Sequence, residues 1–197
     1  EIKPDLVISY GCTKISEKIL SNSNADFWNI HGGLSPHYRG VITHFWPSYF
    51  LEPQMTGMTL HETNDFLDAG EIIFQTAAPM VKGDTLHRLA ARNVEIYCEE
   101  LSSKIVNLDF SNLPRGNKQH SYGKVFTSKD WRPEHLRLIY EKYKDRIVDA
   151  TLKNEIKTGE YSQKTINAVK DAIKKKFDSD SSENTNKQLK MSFPNLD

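Results

Sequence analysis

Leu6-Val7-Ile8, set between Lys3-Pro4-Asp5 and Ser9-Tyr10-Gly11, is a short unbroken apolar run bounded by turn residues. A strand with one wet face would alternate apolar with polar side chains, so this run reads as a strand buried on both faces of a parallel sheet. Such a strand needs neighbours on both sides, and nothing precedes this one in the sequence to supply them. The expectation is a fragment, or a chain whose upstream portion is missing; the alternative is an edge strand that simply opens the domain.

Working outward, Ser16 is the predicted N-cap of a short helix running to Ser21, and residues 25–30 read as a second strand with Phe27, Trp28 and Ile30 apolar. Residues 31–40 form a Gly- and Pro-rich loop without periodicity. Residues 41–50 are apolar and aromatic and are predicted as a buried helix ending before Pro53. Residues 57–63 and 71–79 read as strands. Gly83-Asp84 opens a long helix with Asp84 as N-cap, and Leu86, Leu89, Ala90, Val94, Tyr97, Leu101 and Ile105 hold helical spacing on one face. Strands and helices alternate through residue 105, which predicts an α/β fold with a mostly parallel sheet.

Beyond residue 107 the pattern breaks into loops to about Thr127. Pro133 then starts a helix with Leu136, Ile139, Tyr140 and Tyr143 inward, and a further helix is predicted over 162–177. The latter carries Lys164, Lys170, Lys174, Lys175 and Lys176 away from its apolar stripe, a solvated face. Residues 178–190 are almost wholly polar and cannot bury enough apolar surface to offset their ordering entropy, so the end of the chain reads as a disordered tail. The domain reading is a core over 1–108, a loop and helical region over 109–177, and a tail over 178–197.

Lysine and arginine total 26 against 26 aspartate and glutamate, so no global charge draws the chain to phosphate backbones or anionic lipid. A hydrophobic share of 38% supports a real core within 197 residues, sized for one domain or one domain with an appendage. No apolar run approaches the roughly 20 residues that span a bilayer. Two cysteines, Cys12 and Cys98, make neither a disulfide framework nor a metal spacing. The expected setting is soluble, reducing and cytoplasmic, with no metal, no membrane and no nucleic acid as partner; a homo-oligomer is left open.

Two segments carry chemistry: Asn29-Ile30-His31-Gly32-Gly33-Leu34-Ser35-Pro36-His37-Tyr38-Arg39-Gly40 and Thr59-Leu60-His61-Glu62-Thr63-Asn64-Asp65-Phe66-Leu67-Asp68-Ala69-Gly70. Asn29 and His31, two apart at a strand's end, point to one face, and ligands of open α/β sheets bind outside the carboxyl ends of strands. An amide and an imidazole there can stabilise an oxyanion, and Asp68 can handle a proton. Gly32, Gly33 and Gly70 allow backbone to approach a ligand. The bland readings are Asn29 as a turn cap, His31 as a satisfied loop histidine, Asp68 as an Asx-turn residue and His61 as packing. Arg39 binds an acceptor anion or pairs with a carboxylate; Tyr38 and Trp46 read as core. His37, His44, His87, His120 and His135 read as structural or exposed, and Cys12 lacks a base to make it a nucleophile.

Together the segments resemble the folate-dependent formyltransferases. That family carries Asn-x-His, a Leu-x-Pro-x-Tyr-Arg-Gly-like loop, then Thr-x-His with a catalytic Asp seven residues on, followed by a small residue and Gly. Asn29, His31, Leu34, Pro36, Tyr38, Arg39, Gly40, His61, Asp68 and Gly70 match, over about residues 4–105. The resemblance implies a Rossmann-like catalytic core, with a helical C-terminal extension, lacking the family's opening portion. It implies N10-formyltetrahydrofolate as formyl donor, with Cys12, Thr13, Lys14, Ile15 and Asp65 at the folate. It also implies Asn29, His31 and Asp68 as catalytic residues, and His61, Arg39 and Gly33 as substrate or supporting residues. The acceptor is a primary amine: glycinamide ribonucleotide, aminoacylated initiator tRNA or an amino sugar on a nucleotide, the motifs being most similar to the last group. A formyltetrahydrofolate hydrolase and a non-catalytic, partner-binding fragment are the rival readings.

Overall fold

A computed structural model describes residues 3–120 and 123–156. The predicted helix over 162–177 and the tail over 178–197 lie outside the described residues. The main sheet has the order β1-β2-β4-β5, formed by β1 (Leu6–Tyr10), β2 (Asp26–His31), β4 (Met58–Glu62) and β5 (Ile72–Thr76). β1 and β2 run parallel, whereas β4 is antiparallel to both β2 and β5. Three of the four strands therefore share a direction, so the sheet is mostly parallel in sense but mixed in pairing. Antiparallel neighbours can be joined by a loop alone, and the β4–β5 loop is the segment that carries Asp68. β1 pairs only with β2 among the described residues, and Leu6 to Ser9 are half-buried rather than buried on both faces as the sequence predicts.

Alternation along the strands sorts the two faces. Trp28, Met58, Leu60 and Phe74 turn toward α3 (Leu86–Val106) and pack with its Tyr97 and Leu101. The other face is polar: Ser9, Asn29 and His61 bond along their own row, while His31, Thr59 and Gln75 meet the loop that follows β2 through hydrogen bonds. Thr59 Oγ1 donates to the Gly33 carbonyl at 2.6 Å, and Gln75 Nε2 donates to Ser35 O at 2.7 Å. Burying that loop costs little because its backbone groups find these partners.

Several local expectations are corrected. The N-cap of α3 is Thr85, whose Oγ1 accepts from Arg88 N–H at 3.1 Å. Asp84 instead takes the Arg92 guanidinium in a bidentate pair, a stronger partner than a cap amide. Ser16 precedes α1 (Glu17–Ser21) but makes no side-chain cap bond. Within residues 41–50 only α2 (Trp46–Tyr49) is helical, since Ile42 takes a left-handed φ of 60° that interrupts a helix. The loops after residues 31 and 107 hide a second, two-stranded sheet, in which β3 (Tyr38–Gly40) pairs in parallel with β6 (Lys124–Phe126). These strands are too short to show alternation. The helix predicted from Pro133 is broken into a 3₁₀ turn at Pro133–His135, a π turn at Leu138–Lys142 and α4 (Ile147–Leu152), with left-handed Lys144 and Asp145 between the last two.

A second apolar cluster fills the space between these pieces. Trp46 and Phe126 stack with ring centroids 4.7 Å apart, Tyr38 also stacks on Phe126, and Phe45, Ile139 and Ile147 belong to the same cluster. Tyr38 and Trp46 are therefore core residues, as read from the sequence. No helix among the described residues is long and apolar enough to cross a membrane.

Candidate functional site

The site is built as a row across three strands. Register places Ser9 beside Asn29 and Asn29 beside His61. A hydroxyl has one proton to give, and Ser9 Oγ gives it to Asn29 Oδ1 at 2.9 Å. That bond fixes the amide so that Nδ2 faces His61 Nε2 at 3.2 Å and Asp68 Oδ1 at 3.5 Å. His61 Nδ1 lies 2.8 Å from the Glu62 carbonyl. A carbonyl can only accept, so Nδ1 donates there; Nε2 accepts from Asn29 when it carries no proton and donates to Asp68 when it carries one. A bulge in the β4–β5 pairing at Leu60/His61 sets the ring at this level.

Asp68 reaches the row from the β4–β5 loop with a left-handed φ of 48°, a conformation that aspartate tolerates better than most residues. Its carbonyl accepts from Gln119 Nε2 at 3.0 Å, and the same amide donates to Gly70 O at 2.7 Å. Its Oδ2 accepts the Gly40 N–H at 2.7 Å, while Oδ1 stands 3.4 Å from His61 Nε2 and Oδ2 3.4 Å from His31 Nδ1. Burial by itself raises the pKa of this carboxyl, but the His61 hydrogen bond, the neighbouring His31 and the Gly40 amide outweigh it and hold the group below its ordinary range. Asp68 is thus an ionised carboxylate, only 7% exposed, at neutral pH.

His31 has the opposite balance. Burial lowers its pKa, and the raising effects of Asp68 and of the bond to Tyr38 O do not make up the difference. Its Nε2 lies 2.7 Å from the Tyr38 carbonyl and must donate there. A second N–H, on Nδ1, exists only in the protonated ring, so in the neutral state Asn29 is the amide donor ready for a developing anion. Gly33 makes the His31–Tyr38 bond sterically feasible: a Cβ there would sit 2.5 Å from Tyr38 O and 2.6 Å from His31 Nε2. Its freedom serves the imidazole rather than a ligand. Gly70 likewise faces the Glu62 carbonyl, 1.6 Å from where a Cβ would stand, so of the three glycines only Gly32 lines a cavity.

Asn29 and Asp68, with Cys12 and Leu67, belong to the walls of two cavities at once. The smaller, about 80 Å³, is bounded by Cys12, Thr13, Lys14 and Ile15 on one side and by Thr63, Asn64 and Phe66 on the other. Lys14 and Asp65 approach across these two loops at 4.0 Å. The larger, about 830 Å³, takes in His31, Gly32 and Gly40 and extends to α3 and the segment around Trp131 and Tyr140. Arg39 does not line either cavity; it is buried and donates to Gly123 O at 3.1 Å. Cys12 is an exposed free thiol.

Sequence reasoning missed Ser9, Gln119, the Gly40 amide, and the cavity wall containing His87 and Tyr140. Ser9 had a legible signal in its register opposite Asn29. Gln119, within an irregular segment, had none.

A family model described as formyl transferase matches residues 1–105. Among curated proteins, a methionyl-tRNA formyltransferase from Koribacter versatilis (strain Ellin345) is 26% identical over 144 residues, covering 71% of this chain and 46% of that protein. The chain thus spans under half the length of that relative. A sugar N-formyltransferase from Shewanella sp FDAARGOS_354 is 28% identical with a TM-score of 0.53, covering 64% of this chain and 50% of that one. The formyltransferase PseJ from Anoxybacillus kamchatkensis, solved with UDP-4,6-dideoxy-4-formamido-L-AltNAc and tetrahydrofolate, is 26% identical with a TM-score of 0.57, covering 73% of this chain and 74% of that one. With the model matched over more than half its length and the motif residues converging on one buried carboxylate, the chain belongs to the formyl transferase family.

Proposed function

We propose that this chain transfers a formyl group from N10-formyltetrahydrofolate to the primary amine of a nucleotide-linked amino sugar. The observation that carries the reading is the meeting of two cavities at Asn29 and Asp68, one bounded by Cys12 to Ile15 and the β4–β5 loop, the other open toward α3. In this reading the smaller cavity is the donor side and the larger one the acceptor side. Lys14 and Asp65, 4.0 Å apart across the two donor-side loops, would flank the bound folate. Residues 1–108 carry the chemistry, and Trp131, Leu136 and Tyr140 from the segment after β6 complete the acceptor side.

The folate, when bound, supplies an electrophilic formyl carbon to which an amine nitrogen adds. Asn29 Nδ2 donates to the oxygen that becomes negative, redirecting the N–H that in the free protein reaches Asp68 only at 3.5 Å. Asp68 takes the proton that the amine loses, and its ionised state at neutral pH equips it for that. His31 Nδ1, 3.4 Å from the carboxylate, can hold that proton next and so become a second donor to the oxyanion. As the oxyanion collapses and the formyl carbon–N10 bond breaks, this Asp68–His31 pair returns the proton to the departing folate nitrogen. His61 keeps the Asn29 amide and the Asp68 carboxylate in place.

The likeness to sugar N-formyltransferases and the size of the larger cavity support a sugar-linked amine; the methionyl-tRNA relative keeps an aminoacyl-tRNA as the second reading. Mass spectrometry of reactions containing N10-formyltetrahydrofolate and either amino-sugar nucleotides or methionyl-tRNA separates them. The expected result is a formamide on the sugar that is absent with Asp68→Asn. Formate released without any amine would point to a hydrolase, and formylated methionyl-tRNA to the second reading. A folded protein that titrates no 5-formyltetrahydrofolate would sink formyl transfer altogether.

A further inference from the structure

The larger cavity has a wall to which the proposed chemistry assigns nothing. It is made by Leu86, His87 and Ala90 from the first turns of α3 and by Trp131, Leu136 and Tyr140 from the segment after β6. His87 Nε2 and the Tyr140 hydroxyl lie 3.2 Å apart across the junction of these two segments. An imidazole nitrogen and a phenol so placed can each give or accept a hydrogen bond, and both are exposed enough to exchange that bond for one to a ligand.

Building on the formyl-transfer reading above, we propose that this wall is a saccharide subsite, in which Trp131 and Leu136 cover the C–H face of the acceptor's sugar ring while the His87–Tyr140 pair reads its ring hydroxyls. The composition fits that ligand class. A sugar ring offers an apolar face and a rim of hydroxyls, and the wall offers an indole and aliphatic groups beside a polar pair. A wall without Lys, Arg, Asp or Glu suits ring hydroxyls better than phosphates. The wall also belongs to the cavity that holds Asp68, so a ring seated on it stays within the chamber where its amine would react. Selectivity follows from the cost of leaving such groups unpaired: an acceptor without hydroxyls strands the polar pair in a desolvated contact.

The test uses the full chain saturated with 5-formyltetrahydrofolate and two probes, dTDP-4-amino-4,6-dideoxyglucose and its analogue lacking the C2 and C3 ring hydroxyls. Affinities are measured by calorimetry for the wild type, Tyr140→Phe, His87→Ala and Trp131→Ala. The wild type is expected to prefer the hydroxylated probe by roughly tenfold. Tyr140→Phe and His87→Ala should each erase most of that preference, Trp131→Ala should weaken both probes alike, and folate affinity should stay unchanged in all three. Equal wild-type affinity for the two probes, or a preference that survives in both polar variants, overturns the subsite. Folate binding without sugar-nucleotide binding overturns the subsite while leaving formyl transfer standing, whereas absence of both removes the two readings together.

Discussion

The two apolar clusters differ in how they are made. The one between the sheet and α3 joins Trp28, Met58, Leu60, Phe74, Tyr97 and Leu101 from regular elements, with Leu113 as its one buried loop member. The other gathers Leu34, Tyr38, Phe45, Trp46, Phe126, Ile139 and Ile147, much of it from loops and single turns far apart in sequence. Asn29 and His61 sit on strands whose opposite face is the first cluster; the wall with Trp131 and Tyr140 is carried by segments anchored in the second. Regular register therefore sets where Asn29 and His61 stand, and irregular packing sets the shape of the chamber in front of them. A family can hold the first constant and vary the second to change what it accepts.

The comparison breaks most visibly in the first cluster. Phe74 is fully buried and stacks on Tyr97 with centroids 5.1 Å apart, so Phe74→Ala should cost about 4 kcal/mol, read by urea unfolding. A loss under about 1 kcal/mol would mean that the sheet does not depend on this contact. Next comes the row on the other face. Asn29→Ala should lower kcat by roughly 10²–10³ with the midpoint of unfolding nearly unmoved, since under the proposed chemistry it removes an oxyanion donor and no apolar contact.

A third substitution addresses the turn that precedes α3. Burial raises the Asp84 pKa, but the Arg92 bond, the Val81 amide and the charges of Arg92 and Arg88 outweigh it, so the folded value lies below the unfolded value of about 3.9. Its contribution is complete above that unfolded value and disappears as pH falls through the folded one. Asp84→Asn should therefore cost about 2 kcal/mol at pH 7, and the gap between variant and wild type should close toward acid. A gap that stays constant with pH would show that the ion pair is not its source.

Smaller effects sharpen the picture at Asp68. Gln119→Leu frees the Asp68 and Gly70 carbonyls, and roughly tenfold in kcat/KM should go with it, accompanied by a change in the acid limb of the pH profile that a purely structural role would not cause. Smallest is Ser9→Ala, which removes the bond that orients the Asn29 amide; about fivefold in kcat with KM retained is expected from steady-state kinetics. Equal rates for both proteins would assign that orientation to His61 alone.

Legibility in the sequence follows the same division. The strands carrying Asn29 and His61 and the long helix were readable because their apolar residues repeat at periods the backbone imposes. The meeting of Asn29, His31 and Asp68 was reachable from two motifs. β3 and β6 were hidden because three-residue strands have no period to detect. The broken helix after Pro133 resembled an intact one because inward residues such as Ile139 keep helical spacing across the π turn. Asp84 was mistaken for a cap because sequence does not disclose that Arg92, eight residues along, competes for its carboxylate. Gln119 illustrates a more general limit, since a side chain's value there lies wholly in two carbonyls brought to it by folding.

The start of α3 is tied to the region around α4 by backbone as well as side chain. The Leu86 N–H donates to Asp145 Oδ1 at 2.8 Å, the Gly83 N–H to Asp149 Oδ1 at 2.6 Å, and Arg146 returns a bond to the Gly83 carbonyl at 2.8 Å. These bonds fasten together the two segments that furnish His87 and Tyr140. A ligand arriving between them meets walls whose freedom was surrendered when the chain folded, so less of its contact energy is spent on ordering the protein. Loosening that fastening, at a distance from any atom the ligand touches, would therefore be felt as weaker binding through entropy rather than through a lost contact.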